Sequence, residues 1–165
     1  MKKYHTKKLY VRIWGGELFQ DKFGDAEFDV YKKLCDKIVE EFGRTNPNVN
    51  VEFNFMTNGI WNDNFNRIVE LAKSRRGWIG FSYDPVGRYG NDEQRKLVVD
   101  NINRIVDALG YANVATTLTR PSIKQIVSGK DFLYNMFTPN VALEINSYIP
   151  NKDWQMNLPD DGQVF

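Results

Sequence analysis

Apolar positions along the chain follow two alternating spacings, which predicts strands and helices in regular succession. Short runs with an apolar residue at every second position are typical of strands, and longer runs with apolar residues three and four positions apart are typical of helices. Strands are predicted over Leu9–Trp14, Val49–Met56, Trp78–Tyr83, Asn113–Leu118 and Val141–Ile145. Helices are predicted over Asp25–Phe42 with Gly43 as the stop, over Asp63–Ser74, over Asp92–Leu109 with Gly110 as the stop, and from Pro121 to a break at Gly129.

This alternation predicts an α/β fold. Because helix-length connections make successive strands parallel with right-handed crossovers, we expect a parallel sheet of about five strands. The sheet is either doubly wound or a partial (β/α) barrel. A chain of 165 residues, 42% of them hydrophobic, is long enough for one core and too short for two. We therefore expect a single domain over 1–165, with a basic arm over 1–8 and an irregular tail over 147–165.

Charge and composition exclude several classes of partner. The chain has 22 Lys and Arg against 21 Asp and Glu, so nucleic acid is not an expected partner and the basic arm is interpreted as solvated. The sequence contains no signal peptide and no apolar run long enough to span a bilayer, so no membrane contact is expected. The single cysteine, Cys35, is predicted to lie in the core and fits a cytoplasmic location. Frequent asparagine suggests AT-rich coding and a phage or low-GC bacterial origin.

Familiar catalytic motifs are missing. No GxGxxG follows the first strand and no GxxxxGK[ST] is present, which argues against dinucleotide and P-loop sites. The only histidine is His5, so hydrolase triads and Cys/His zinc sites are not expected. Three carboxylates, Glu17, Asp84 and Glu144, lie on or just after predicted strands. If they converge, they could bind Mg²⁺ or act as acid and base.

Three successive strands end in glycine and polar residues. The three segments are Gly15-Gly16-Glu17, Thr57-Asn58-Gly59 and Ser82-Tyr83-Asp84. Ligands of parallel α/β sheets bind at the carboxyl ends of the strands, and glycine lets a ligand approach the backbone. We therefore expect a binding site at this edge. Four nearby aromatic residues are candidates to stack an adenine: Trp14, Trp61, Phe81 and Tyr83.

Taken together, these segments resemble the core of the radical S-adenosylmethionine (radical SAM) enzymes, nearest the branch with a SPASM or twitch extension. In that family the second barrel strand ends in GGE, the third commonly in TNG and the fourth in S-x-D; the likeness runs from Leu9 to Pro150. The resemblance implies S-adenosylmethionine as cofactor. It implies these binding residues: Gly15, Gly16 and Glu17 at the amino group, Ser82 at the carboxylate or ribose, and Thr57, Asn58 and Asp84 along the cofactor edge. An arginine is expected to complete the carboxylate site, and Arg88, Arg95 and Arg120 are the candidates.

The chain departs from that family at the iron–sulfur cluster. The family's CxxxCxxC segment holds a [4Fe–4S] cluster, whereas this chain has only Cys35 and only 14 residues before the GGE. The cluster is therefore not supported, no catalytic residue is assigned, and the isolated chain is expected to be inert.

Three interpretations remain open. The chain is a fragment of a radical SAM enzyme of the peptide- or protein-modifying type, whose cluster-binding segment is absent from it. Alternatively, it is a pseudoenzyme that binds a protein or a small nucleotide, as a phage-type inhibitor would. In the third interpretation the resemblance is accidental and the fold is another parallel α/β module, such as a flavodoxin-like one. The unpaired edge of the first strand also predicts a protein partner or self-association, unless Met1–Thr6 or the tail covers it.

Overall fold

The computed structural model describes residues 7–84, 88–118, 128 and 140–147. In these ranges strands and helices alternate as the sequence predicts. The elements are β1 (Lys8–Ile13), α1 (Asp25–Thr45), β2 (Asn50–Thr57), α2 (Phe65–Ser74), β3 (Gly77–Ser82), α3 (Asp92–Leu109), β4 (Ala112–Leu118) and β5 (Val141–Ser147). The helical stretch predicted after Pro121, most of the basic arm and nearly all of the predicted tail lie outside the described residues.

All five strands form one parallel sheet in the order β1-β2-β3-β4-β5, which confirms the predicted α/β fold. The sheet is not closed into a barrel, and within the described ranges β1 and β5 lie at its two edges. Each strand pairs with the next one along the chain. Because the crossovers are right-handed, this order places α1, α2 and α3 on the same side of the sheet.

The helix-covered face holds the hydrophobic core. Strand residues that point to this side are buried against the helices; they are Val51, Phe53, Phe55, Ile79, Phe81 and Val114. Cys35 contributes from α1 and is fully buried, as predicted. Burial raises the pKa of its thiol to about 11, so the side chain behaves as a small apolar residue rather than as a nucleophile or metal ligand.

The face of the sheet that lies away from the helices carries polar side chains and is concave. Arg12 on β1 donates two hydrogen bonds to Glu144 on β5, at 3.4 and 3.0 Å. In a flat sheet, four strand spacings would separate these two edge strands by about 19 Å, more than the two side chains can bridge. The sheet therefore curves toward this side. We call this side the concave face; it includes Arg12, Asn54, Gly80, Asn113 and Glu144.

A buried amide bridge crosses β3 on the concave face. Asn54 Nδ2 on β2 donates to Asn113 Oδ1 on β4, at 3.1 Å, and the bond passes over Gly80. A Cβ atom at Gly80 would lie 2.7 Å from Asn113 Oδ1, 2.9 Å from Asn54 Nδ2 and 2.4 Å from Met56 Sδ. Glycine is thus needed at this position to make room for the bridge.

The helix ends follow local backbone chemistry. The predicted stop at Gly43 is wrong, because α1 continues to Thr45. Asn46 precedes Pro47, and a residue before proline is pushed out of the helical region, which explains the later end. The stop at Gly110 is confirmed: its φ of 80° is left-handed, and its N–H donates to the Val106 carbonyl at 2.7 Å.

Three apolar residues of α1 face solvent instead of the core. Val30, Leu34 and Val39 are 61%, 44% and 45% exposed. Within the described part of the chain, no helix has both the length and the apolar character needed to cross a membrane.

We expect Gly80→Ala to destabilise the fold by about 1–3 kcal/mol, because the added methyl group overpacks the site and separates Asn54 from Asn113. The free energy of unfolding from urea titration, followed by circular dichroism, measures this. Gly43→Ala is the matched control, since a Cβ there meets nothing within 4 Å. In α1 that substitution should stabilise by up to about 1 kcal/mol. Equal stability of Gly80→Ala and wild type would contradict this account of the bridge.

Candidate functional site

The first two polar strand ends are joined by the carboxylate of Glu17. Its Oε1 accepts from Thr57 Oγ1 at 2.5 Å and from the Phe19 N–H at 3.0 Å, and its Oε2 accepts from the Asn58 N–H at 2.7 Å. The structure thus brings Glu17, Thr57 and Asn58 together, as the sequence predicts for neighbouring carboxyl ends of parallel strands. Glu17 uses both carboxylate oxygens to hold the loop after β1 against the end of β2.

The turn after β2 depends on glycine. Gly59 has a φ of +78°, and a Cβ there would lie 2.9 Å from Val98 and 3.0 Å from Phe81. Thr57 Oγ1 accepts from the Gly59 N–H at 3.0 Å, and Asn58 Oδ1 accepts from the Ile60 N–H at 2.8 Å. The TNG segment is therefore a tight turn that presents the Asn58 N–H to Glu17.

The third strand end is tied to β4 in the same manner. Asp84 Oδ1 accepts from the Thr117 N–H at 2.7 Å, and Asp84 Oδ2 accepts from Arg88 Nε at 2.7 Å. Ser82, the first residue of this segment, is half-buried and lies on the concave side of β3. Its carbonyl accepts from Tyr89 Oη at 3.2 Å and from Arg88 Nη1 at 3.4 Å.

The three arginine candidates are therefore not equivalent. Arg88 lies at the strand ends, beside Asp84 and the Ser82 carbonyl. Arg95 instead forms an ion pair with Asp92 within α3. Arg120 lies outside the described residues. Among the described candidates, Arg88 is the one positioned at this edge.

The loop after β1 leaves its backbone open. Gly15 and Gly16 are exposed, and a Cβ added to either would meet nothing within 4 Å. Trp14, directly before them, is 76% exposed. Among the residues that the structure describes, two glycine peptide units and an aromatic ring are thus accessible to a ligand.

The other three aromatic candidates cannot stack a ligand. Trp61, Phe81 and Tyr83 are each 0% exposed and belong to the core, so the prediction for them is wrong. Trp14 differs from these core residues in its position along β1. Successive side chains of a strand point to opposite faces, and Trp14 follows Ile13, the last residue of β1 that faces the helices. Its position therefore belongs to the concave side.

The three carboxylates proposed as a metal or acid–base site do not converge. Glu17 bonds to the turn after β2, Asp84 to Arg88, and Glu144 to Arg12. Among the residues in the described ranges, no group of three metal-ligating side chains is arranged to hold an ion. A [4Fe–4S] cluster does not fit these residues either, because the only cysteine is sealed in the core.

The sequence prediction missed the polar side chains of the concave face. Arg12, Asn54 and Asn113 each alternate with apolar residues along their strands, and this alternation was the available signal. The alternation could not predict which of these side chains contact each other, because Asn54 and Asn113 are 59 positions apart and meet only in the folded sheet.

We expect Glu17→Gln to lower the free energy of unfolding by about 1–3 kcal/mol, because an amide nitrogen cannot accept from the Thr57 or Asn58 donor that it faces. Urea denaturation followed by tryptophan fluorescence measures the change. Glu40→Gln is the control, since Glu40 forms only an exposed ion pair with Lys37, and should cost less than about 0.5 kcal/mol. Equal losses in both variants would show that the Glu17 bonds add no special stability.

The chain was compared with protein-family models, with curated proteins and with solved structures, and none of the three comparisons found a match.

Proposed function

We propose that this chain is a ligand-binding module that takes S-adenosylmethionine, or a related adenine nucleoside, at the carboxyl edge of its sheet. The main support for this proposal is the open Gly15-Gly16 turn. Glu17 holds this turn in place beside the exposed ring of Trp14. The resemblance of the three strand ends to radical SAM enzymes supplies the class of ligand.

Each part of such a ligand has a chemically suitable partner at this edge. The adenine would stack on Trp14, as purines do on exposed aromatic rings. The ammonium group would donate to the backbone carbonyls of Gly15 and Gly16. The ligand carboxylate would pair with Arg88, and a ribose hydroxyl would bond to Ser82. In this arrangement Glu17 acts as a positioning residue, because its oxygens already accept three internal hydrogen bonds.

The proposal is for binding and not for catalysis by this chain. Reductive cleavage of S-adenosylmethionine needs a cluster with three cysteine ligands, and this chain offers one buried cysteine. The alternative proposal is that the chain is part of a radical SAM enzyme of the peptide- or protein-modifying type. A separate cluster-binding segment would then supply the chemistry, with the same residues binding the ligand.

Isothermal titration with S-adenosylmethionine tests the site. We expect wild type to bind and Gly16→Val to weaken binding by at least about tenfold, because a branched side chain covers the exposed peptide units. Trp14→Leu should weaken binding as well, by removing the stacking surface.

Gly43→Val is the matched control for that titration, since Gly43 has equally open surroundings but lies in α1. It should bind like wild type. Failure of wild type to bind, or equal binding by Gly16→Val, would contradict the proposed site.

A second candidate function is protein binding or self-association through β1. Among the strands that the structure describes, β1 lies at an edge of the sheet, and Tyr10 on it is 60% exposed. The Asn50 N–H donates to the Lys7 carbonyl, so the odd-numbered residues of β1 direct their backbone groups toward β2. The N–H groups of Tyr10 and Arg12 therefore face away from the sheet, where an added strand would pair with them. A phage-type interaction protein could use such an edge.

Sedimentation velocity over a hundredfold concentration range tests self-association. We expect wild type to gain mass with concentration and Tyr10→Pro to remain monomeric, because proline removes an outward N–H without touching the β1–β2 ladder. Tyr10→Ala is the control that keeps the N–H and removes the ring. A wild type that stays monomeric throughout would exclude self-association through this edge.

A further inference from the structure

The concave face holds polar groups that neither the core nor the carboxyl-edge site uses. Arg12 and Glu144 form a two-bond ion pair, and the Asn54–Asn113 amide bridge lies on the same face. Arg12 is the register partner of Asn54 on the neighbouring strand, while its guanidinium reaches Glu144 on the far edge. The three side chains thus border one region of this face.

Asn54 carries a hydrogen-bond acceptor that the described residues leave unfilled. Its side chain is 3% exposed, and its Nδ2 is used in the bridge, but its Oδ1 is buried and accepts no hydrogen bond within the described part of the structure. A buried amide oxygen without a hydrogen-bond donor is unfavourable, so buried groups of this kind normally have a partner. Glycine at position 80 nevertheless leaves space for the Asn54 side chain, which a Cβ atom there would contact too closely.

The Arg12–Glu144 pair offers a ligand one charge of each sign. The two side chains are 46% and 38% exposed, so a small molecule can reach both. An exposed ion pair contributes little to stability, so a ligand can open it at small cost. A zwitterion then pairs with both groups, whereas a simple anion or a simple cation pairs with only one of them.

We propose that the concave face binds a small zwitterion of the α-amino-acid class. The ligand carboxylate accepts two hydrogen bonds from the Arg12 guanidinium, which matches carboxylate geometry. The ligand ammonium donates to Glu144 and to the unfilled Asn54 Oδ1. The ligand thereby supplies a donor to the Asn54 oxygen, which has none among the described residues.

Access to Asn54 requires a side chain to move, and Met56 is placed to do so. Its sulfur packs over Gly80, beside the amide bridge, and methionine changes rotamer at little cost. Opening the Arg12–Glu144 pair to the ligand clears the same region. The proposal goes beyond the carboxyl-edge function, since none of its residues belongs to that site.

The experiment titrates the folded protein with each common L-α-amino acid in turn, using thermal unfolding as the first readout and calorimetry for those that stabilise. Each binding amino acid is compared with its own amide, which is a simple cation, and with its N-acetyl derivative, which is a simple anion. We expect the zwitterion to bind, and both single-charge analogues to bind at least about tenfold more weakly.

Matched variants locate the site. Glu144→Gln should weaken binding at least about tenfold, since it removes the acceptor charge from a half-exposed position where the fold is not at risk. Glu52→Gln removes a carboxylate that pairs with Lys8 elsewhere on the same face, at 2.7 Å, and should bind like wild type. Asn54→Leu, checked for folding by circular dichroism, should also lose affinity.

The outcomes separate this proposal from the carboxyl-edge site. Amino-acid binding should be unchanged in Gly16→Val, whereas binding of S-adenosylmethionine should be weakened there by at least about tenfold. If no amino acid binds the folded wild type, or if binding is equal in Glu144→Gln and Glu52→Gln, the proposal is wrong. Binding that Gly16→Val abolishes would likewise overturn it, by assigning the amino acid to the carboxyl edge.

Discussion

In the part of the chain that the structure describes, helices cover only one face of the sheet, and the rest of the structure depends on this constraint. Parallel strands in sequential order with right-handed crossovers place α1, α2 and α3 on one side, so the other side must satisfy its own side chains. One face is accordingly built from phenylalanine, isoleucine and valine, whereas the other carries arginine, asparagine and glutamate together with Tyr10, Met56 and Trp78. Polar groups are retained there by pairing with one another across strands, as Asn54 does with Asn113.

The carboxyl edge is organised by a repeated device, a carboxylate that accepts from the backbone of another element. Glu17 accepts from the Asn58 N–H and Asp84 from the Thr117 N–H. Asp21 binds the N–H groups of Asn62 and Asp63 in the same way. Burial disfavours the Asp21 carboxylate, but these hydrogen bonds outweigh it and lower its pKa overall. These carboxylate–backbone hydrogen bonds fix the loops, while the backbone of the Gly15-Gly16 turn stays exposed to solvent.

The sequence pattern was sufficient for the fold because each element is encoded by its own periodicity. It was also sufficient to bring Glu17, Thr57 and Asn58 together, since the carboxyl ends of parallel strands share one edge. It failed where the answer depended on distant packing, as for Trp61, which looks like a surface aromatic in a loop and is fully buried. The sequence could not predict the partners of Arg12 and Asn54 either, because these contacts depend on the curvature of the whole sheet.

The Arg12–Glu144 pair also bears on how the chain folds. It joins residues 132 positions apart, on the first and last strands, whereas every strand pairing in the sheet joins neighbours along the chain. Each strand pairing closes a shorter loop than this contact does, and the contact forms only when the intervening strands are in place. We therefore expect the pair to be absent from the transition state for folding. Its loss would then change the unfolding rate rather than the folding rate, and only slightly, because an exposed ion pair contributes about 0–1 kcal/mol.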